Sequence, residues 1–474
     1  MRRTKIVATL GPASRSEDML YKLIKSGVNV FRLNTSHEKP EDHLKVIKRI
    51  KKIRKKLELP IAILLDLEGP KIRTGMFVED QVFLKKGQQF TLTVENIKGD
   101  SERVSISYKD LPKDIRKGDL IMVYDGLIAL KVIDRTDTEI KTRVLNNGEI
   151  SHKKGINVPG VDIGLPPITE KDKQYIKLAV EEELDFIAQS FVRKPEDIDV
   201  CRDEQKKSNG NIPIIAKIET KQAMQHLRSI IYRADGIMVA RGDLGVEIPT
   251  EEVPVAQKHI INMSNEQSKP VITATQMLES MVDNPRPTRA EATDIANAIL
   301  DGTDAVMLSG ETTVGKYPLE AVQVMNRISQ KAEENLKEYI YQKKNIGGNY
   351  DEFISSDEEA IAKSCKDICN LLDIDVIVTS TVTGFTAKKV SSFRPDANLI
   401  GITPKLETYY RLTLVSGVTP VLISKTKDTD EMIEKGVEKI LKLNLAKKGE
   451  KVLITAGIPW GRSGTTNMLK IHTC

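Results

Sequence analysis

Eight short apolar runs, each followed by sequence with helical character, set the strongest limit on what this chain can fold into. They fall at Thr4–Leu10, Val28–Asn34, Ile61–Asp66, Asp185–Ser190, Ile212–Ile218, Gly236–Arg241, Val271–Thr275 and Ala305–Ser309. Near-continuous Val/Ile/Leu runs of this length are what strands of a parallel sheet need, because helices cover both its faces. Eight strand–helix units in succession predict an α/β protein built on a closed (β/α)8 TIM barrel.

The series is interrupted once. From about Lys71 to Ile163 the segments are short, alternating and punctuated by glycine, as in Gln89–Val94 and Asp119–Gly126. That texture predicts a small antiparallel β-barrel domain inserted in a loop. Beyond a charged helix ending near Lys344, Asn345–Gly348 reads as a linker. A C-terminal α/β domain follows, with helices near Asp357–Leu372 and Asp430–Leu443 and strands at Asp375–Thr379, Asn398–Ile402, Pro420–Ile423 and Lys451–Thr455. The expected division is 1–69 with 164–344 for the barrel, 70–163 for the insertion and 345–474 for the last domain.

The length of 474 residues is ample for several cores. Its 72 basic and 67 acidic residues nearly cancel, which argues against nucleic acid as a partner but leaves a surface congenial to anionic metabolites. Four cysteines without paired spacing point to a reducing compartment and no disulfide framework. No apolar leader opens the chain and no apolar run reaches membrane-span length, so a soluble cytoplasmic protein without membrane contact is expected.

In a barrel of this kind, polar residues at the C-terminal ends of the strands face one common mouth. Here they are Arg32, Asn34, Asp66, Ser190, Lys217, Glu219, Arg241, Asp243, Thr275 and Glu311. Lys217 and Glu219 are two apart on the fifth strand and point to the same side. Alone, such a pair is either a salt bridge or an electrophile beside a metal ligand. Convergence of so many polar groups favours the second, so the two are expected to be parts of one electrostatic site and not an ion pair.

Five stretches carry a family resemblance: Pro213–Thr220, Met238–Glu247, Thr273–Met281, Pro287–Glu291 and Met307–Thr312 resemble motifs of the pyruvate kinases. The resemblance covers essentially the whole chain, although the sequence starts at the first barrel strand, without the helical extension of some members. It implies transfer of a phosphoryl group from phosphoenolpyruvate to ADP, giving pyruvate and ATP in glycolysis, a reaction that rests on positioning and charge neutralisation. By the same resemblance Glu219 and Asp243 hold Mg2+ (or Mn2+) as hard oxygen ligands. Lys217 would stabilise the transferring phosphoryl and the enolate, and Arg32 would grip the phosphoryl group. The amides of Gly242 and Asp243 would meet the substrate carboxylate, with Thr275 near the enolate carbon. Asn34 and His37 would line the nucleotide site, and Arg73 and Lys154 would reach its phosphates when the insertion closes as a lid. A homotetramer is the family's usual assembly.

One departure concerns potassium. Where the family commonly reads Asp-Thr-Lys-Gly-Pro-Glu-Ile-Arg, residues 66–73 here read Asp-Leu-Glu-Gly-Pro-Lys-Ile-Arg. Asn34, Ser36, Asp66 and the carbonyl of Leu67 match the family's potassium ligands, and Lys71 reverses a charge beside them. An ammonium group on a flexible stem can stand in for a monovalent cation. The expectation is an enzyme that does not require K+, with Lys71 supplying the charge. The plainer alternative has Lys71 paired with Glu68 and the potassium site retained.

In the last domain, Thr381, Thr383, Gly384 and Thr386 form a hydroxyl-rich loop before a helix, a plausible phosphate cradle that resembles the family's effector loop. Val382 and Phe385 stand where relatives activated by fructose 1,6-bisphosphate carry basic residues, so another phosphorylated effector, or none, is expected. Gly461–Thr466 could close over it. Other features read as structural. Gly310–Tyr317 imitates a P-loop but lacks its Ser/Thr, Thr288 with Glu291 fits a capping box, and Cys365 and Cys369 suit packing. The basic helix from Lys45 to Lys56 suits a solvated face. A carbon–carbon lyase on the same barrel would not need a lid bearing Arg73 and Lys154, and a non-catalytic sensor would be expected to lose Lys217 or a metal carboxylate.

Overall fold

The structure, a computed structural model, describes residues 2–334, 354, 356–458 and 464–474. The eight apolar runs form a closed barrel whose strands are Lys5–Thr9, Val30–Asn34, Ala62–Asp66, Phe186–Gln189, Ile214–Ile218, Gly236–Ala240, Val271–Ala274 and Ala305–Leu308. Each neighbour pair is parallel, and the first strand closes on the eighth through Lys5↔Ala305. Strand alternation sorts the apolar residues. Val7, Val30, Leu64, Ile215, Met238, Ile272 and Met307 fill the interior, while Ile6, Phe31, Ile63, Ile214, Ile237 and Val306 belong to the layer beneath the surrounding helices.

The helices start where side chains cap them. Ser16 accepts from the amide of Met19, and Thr169 and Thr288 form complete capping boxes with Asp172 and Glu291. Each such cap is worth about 1 kcal/mol. The P-loop imitation folds as the short helix Gly310–Thr313, held by Thr312 Oγ1 donating to the carbonyl of Thr9. Glu311, placed at the mouth from sequence, instead accepts from the amides of Leu278 and Ser309 and is buried. Its role is structural.

The insertion wraps its own core around a seven-stranded sheet ordered Ile72–Arg73, Gly155–Asn157, Leu120–Val123, Ile128–Arg135, Glu139–Val144, Gln89–Thr93 and Arg103–Ser105. The bridge Thr74↔Ile106 joins its two ends. The expected antiparallel pattern holds except between Gln89–Thr93 and Arg103–Ser105, which run parallel because the intervening chain crosses back before pairing. The chain enters and leaves through adjacent strands, with Arg73 opposite Gly155 and Ile72 opposite Ile156.

The last domain is a five-stranded sheet ordered Val418–Leu422, Asn398–Thr403, Val376–Ser380, Lys451–Ala456 and Met468–Thr473. Only the Met468–Thr473 edge is antiparallel, and it was not expected. The helices Asp357–Leu372 and Phe385–Ser392 cover one face, and Thr429–Lys442 covers the other. Cys365 and Cys369 are buried packing residues whose thiols burial raises to about 12 and about 11. This sheet docks on the barrel base. Lys5 Nζ donates to the carbonyl of Val418 at 2.7 Å, and Arg394 pairs with Asp304 at 3.0 Å. Asp304 also accepts from the amide of Ser416. Lys344, the linker Asn345–Gly348 and Arg462 lie outside the described residues.

Candidate active site

Five consecutive barrel strands, the second to the sixth, deliver the polar and charged groups of the mouth. Arg32, at the end of the second strand, pairs through Nε with Asp66 Oδ2 at 2.6 Å and donates through Nη1 to Thr9 Oγ1 at 3.0 Å. Asp66, at the end of the third, is 1% exposed. Its other oxygen lies 3.4 Å from Lys217 Nζ, which also donates to Ser190 Oγ at 2.7 Å. Lys217 and Glu219 do form an ion pair, at 2.8 Å, contrary to the expectation of separate roles. In a nearly dry pocket an ammonium gathers whatever carboxylates share its face.

Burial alone would push the Lys217 ammonium down, but Asp66 and Glu219 together outweigh it and hold it raised. Asp66 is held low, since Lys217 and Arg32 overcome the effect of burial. Glu219 shares its ammonium with Asp66 and feels the charge of Asp243, so burial keeps its carboxyl raised.

Glu219 Oε2 accepts from the amide of Phe191 at 2.8 Å. Oε1, although close to Lys217, receives no well-directed hydrogen bond among the described residues. A buried carboxylate oxygen without a directed donor beside a second, partly exposed carboxylate, Asp243, fits a cation. The described residues hold no group of three or more His, Cys, Asp or Glu placed to hold a metal ion. Two carboxylates, with water and substrate oxygens completing the shell, suit Mg2+, which dehydrates reluctantly.

The backbone around the mouth is strained. Phe191, Thr275 and Gln276 sit at φ 54°, 68° and 53°, a left-handed region that a β-branched residue rarely adopts. Arg241 holds that turn in place. Its guanidinium donates to the carbonyls of Ala274 and Thr275, at 3.3 and 2.7 Å, and pairs with Asp294 at 2.7 Å. Arg241 therefore clamps the backbone below Thr275. Thr275 Oγ1 accepts from the amide of Gly242 at 2.8 Å and donates to the carbonyl of Ala274. The Gly242 amide, expected at a substrate carboxylate, is thus already engaged by Thr275.

The potassium quartet is similarly engaged. Asn34 Oδ1 accepts from the amide of Ser36, Asp66 is bound by two cations, and the carbonyl of Leu67 accepts from Ser190 Oγ at 2.7 Å. The alternative pairing of Lys71 with Glu68 is not present. Glu68 pairs with Arg73 and with Lys171, each at 2.6 Å, while Lys71 Nζ lies 3.8 Å from Asp243 Oδ1. The stem of Lys71 passes over Gly155, where a Cβ would come within 2.8 Å of Cε, so the hinge directs it towards Asp243. Two ammonium groups reach the quartet: that of Lys217, 3.4 Å from Asp66, and that of Lys171, 3.4 Å from the carbonyl of Ser36. Sequence reasoning missed Lys171, and nothing but its place in a helix's first turn marks it.

Arg73 and Lys154 flank the same hinge, with Lys154 Nζ 3.8 Å from the ring centroid of Tyr124. His37 is exposed in the loop after the second strand. In the last domain, Thr381 Oγ1 accepts from the amide of Gly384, which opens the helix at φ 88°, and Thr386 bonds Thr466. Thr383 is exposed there, and the hydroxyls of Ser380 and Thr465 are buried without a partner among the described residues.

Comparison with known proteins agrees along the chain. The family model for the pyruvate kinase barrel domain matches residues 1–322, and that for the pyruvate kinase alpha/beta domain matches residues 359–472. A pyruvate kinase from Thermotoga maritima is 49% identical over 472 residues, 99% of each chain. One from Staphylococcus saprophyticus is 46% identical over all of this chain and 80% of its own. The crystal structure of a pyruvate kinase from Cryptosporidium parvum superposes with a TM-score of 0.90 at 37% identity, covering 100% of this chain and 96% of that one.

Proposed function

The chain belongs to the pyruvate kinase family and is an enzyme of that kind, and we propose that its reaction runs in the barrel mouth with a divalent cation on Glu219 and Asp243. The observation that carries this reading is the Lys217 ammonium, held between Asp66 and Glu219 beside Arg32. Such a fixed, permanently charged cation suits charge that develops during transfer, and it cannot serve as a base. Arg32 presents its remaining guanidinium donors to the phosphoryl group. When bound, the divalent cation supplies Lewis-acid polarisation of substrate oxygens. Thr275, on its clamped turn, gives up its bond from the Gly242 amide, freeing that amide for the substrate, and turns its proton from the carbonyl of Ala274 towards the substrate. The hydroxyl then stands by the enolate carbon during proton delivery, and Arg73 and Lys154 approach the nucleotide phosphates as the insertion closes. A coupled assay for pyruvate from phosphoenolpyruvate and ADP, with and without Mg2+, tests the reading. Turnover unaffected by chelation would end it.

Independence of K+ belongs to the same proposal. Arg32 and Lys217 already neutralise Asp66, and Lys171 stands at Ser36, so a further cation would meet repulsion. Assays in sodium, potassium and tetramethylammonium salts should agree, and a large gain specific to potassium would remove the idea. The hydroxyl-lined loop at Thr381–Thr386 supports a phosphorylated effector in the last domain, to be sought by crystal soaks with phosphates. We further propose the division 1–69 with 164–344, 70–163 and 345–474, a homotetramer and a cytoplasmic location. Sedimentation tests the assembly.

A further inference from the structure

The insertion touches the helix that carries Asp243 at several points, and one of them is charged. Arg241–Glu247 forms that helix at the end of the sixth strand. Asn157, on the returning hinge strand, donates to Glu247 at 3.4 Å, and a Cβ at Gly126, near the tip of a lid hairpin, would sit 3.6 Å from Val246. Lys71, on the outgoing hinge strand, sends its ammonium to 3.8 Å from Asp243. Its side chain is 22% exposed and that of Asp243 is 28% exposed, so the pair is partly shielded from water. Glu68, close by in sequence, is not the partner of Lys71, because Arg73 and Lys171 occupy it.

We infer that Lys71 is a tethered counter-ion of Asp243, which holds the charge of the divalent-cation site while the metal is absent and fastens the insertion to the barrel. A divalent cation then binds by displacing this ammonium. Lys71 is the group that gives way, because its contact with Asp243 is a partly exposed one at 3.8 Å, whereas Lys217, held also by Asp66 and Ser190, stays beside Glu219. Coupling of this kind is reciprocal: metal loosens the hinge, and a loosened hinge improves the metal site. The inference rests on Asp243 being a metal ligand.

Mn2+ binding to the free enzyme, followed by electron paramagnetic resonance without phosphoenolpyruvate or nucleotide, reads the competition directly. Lys71→Gln should tighten Mn2+ binding by roughly two- to fivefold, the scale of a partly exposed ion pair. Lys71→Arg, which keeps the charge, should not tighten it. Equal or weaker binding in Lys71→Gln overturns the inference. Asp243→Asn separates the two ideas: if it leaves Mn2+ binding intact, the ligand assignment itself is wrong. If it abolishes binding while Lys71→Gln changes nothing, only the counter-ion role is lost. Amide exchange at Ile72, Arg73 and Ile156 adds a second readout. Mn2+ should speed it in the native enzyme and have no further effect in Lys71→Gln. Unchanged exchange in the native enzyme overturns the fastening.

Discussion

Lys217 at the barrel mouth and Lys5 at its base are the same residue on the same scaffold, 8% and 7% exposed, yet their amines are driven in opposite directions. At the mouth, two carboxylates outweigh burial and hold the ammonium raised. At the base, burial lowers Lys5 to about 7, and the charge of Arg2 adds to the effect. The carboxylate of Asp304 is committed to Arg394 and to the amide of Ser416, so Lys5 is left with the carbonyl of Val418. Burial does not make a lysine a catalytic cation. The unspent carboxylates around it do.

The sharpest way to break this comparison is to neutralise each lysine. Lys217→Met should lower turnover in the pyruvate assay by roughly three to five orders of magnitude, since an electrostatic donor is lost and two buried carboxylates lose their shared cation. Lys5→Met should stay within about threefold of the native rate, because it lies at the opposite end of the barrel. A comparable loss in both would mean that the mouth is not special. Next in size, Arg394→Ala should destabilise the folded chain by about 3 kcal/mol in denaturant titration, because Asp304 is left buried and under-compensated.

Smaller effects divide by pH. Asp66 is depressed in the folded state, so its contribution to stability is complete above its ordinary value of 3.8 and is lost as pH falls through its lower folded value. Lys5 works from the other side. Its folded value is lowered to about 7 from 10.5, so the penalty for a buried ammonium is full below about 7 and fades as pH rises towards 10.5. Stability should therefore climb across that interval with a slope approaching about 1.4 kcal/mol per pH unit. Thermal melts of Lys5→Met between pH 7 and 10 should lack the climb. If the climb persists, the lysine is not its source.

Much of this architecture could be read before any coordinates. The barrel strands were legible to within two residues because a strand covered on both faces is apolar along nearly its whole length, as in Ile61–Leu65 and Gly236–Ala240. Met468–Thr473 was not, since an edge strand carrying Lys470 and His472 shows no such run. The same limit applies to the site. Lys217 and Glu219 share a face by spacing alone, but their pairing depends on how dry the mouth is. Lys71 meets Asp243 across more than a hundred and fifty residues of sequence, through a hinge that only tertiary structure sets. Arg241 was visible as a polar residue at a strand end, and its work on the Thr275 turn was not.

The paired strands Ile72–Arg73 and Gly155–Asn157 have a last consequence. Because the insertion leaves and returns at one point, its two ends are held together by their own ladder, and the barrel around them is continuous without it. The inserted piece is a guest whose removal would ask the host to bridge only a gap between neighbouring residues. Such a joint can be gained, lost or exchanged as a cassette during descent while the eight-stranded frame folds as before.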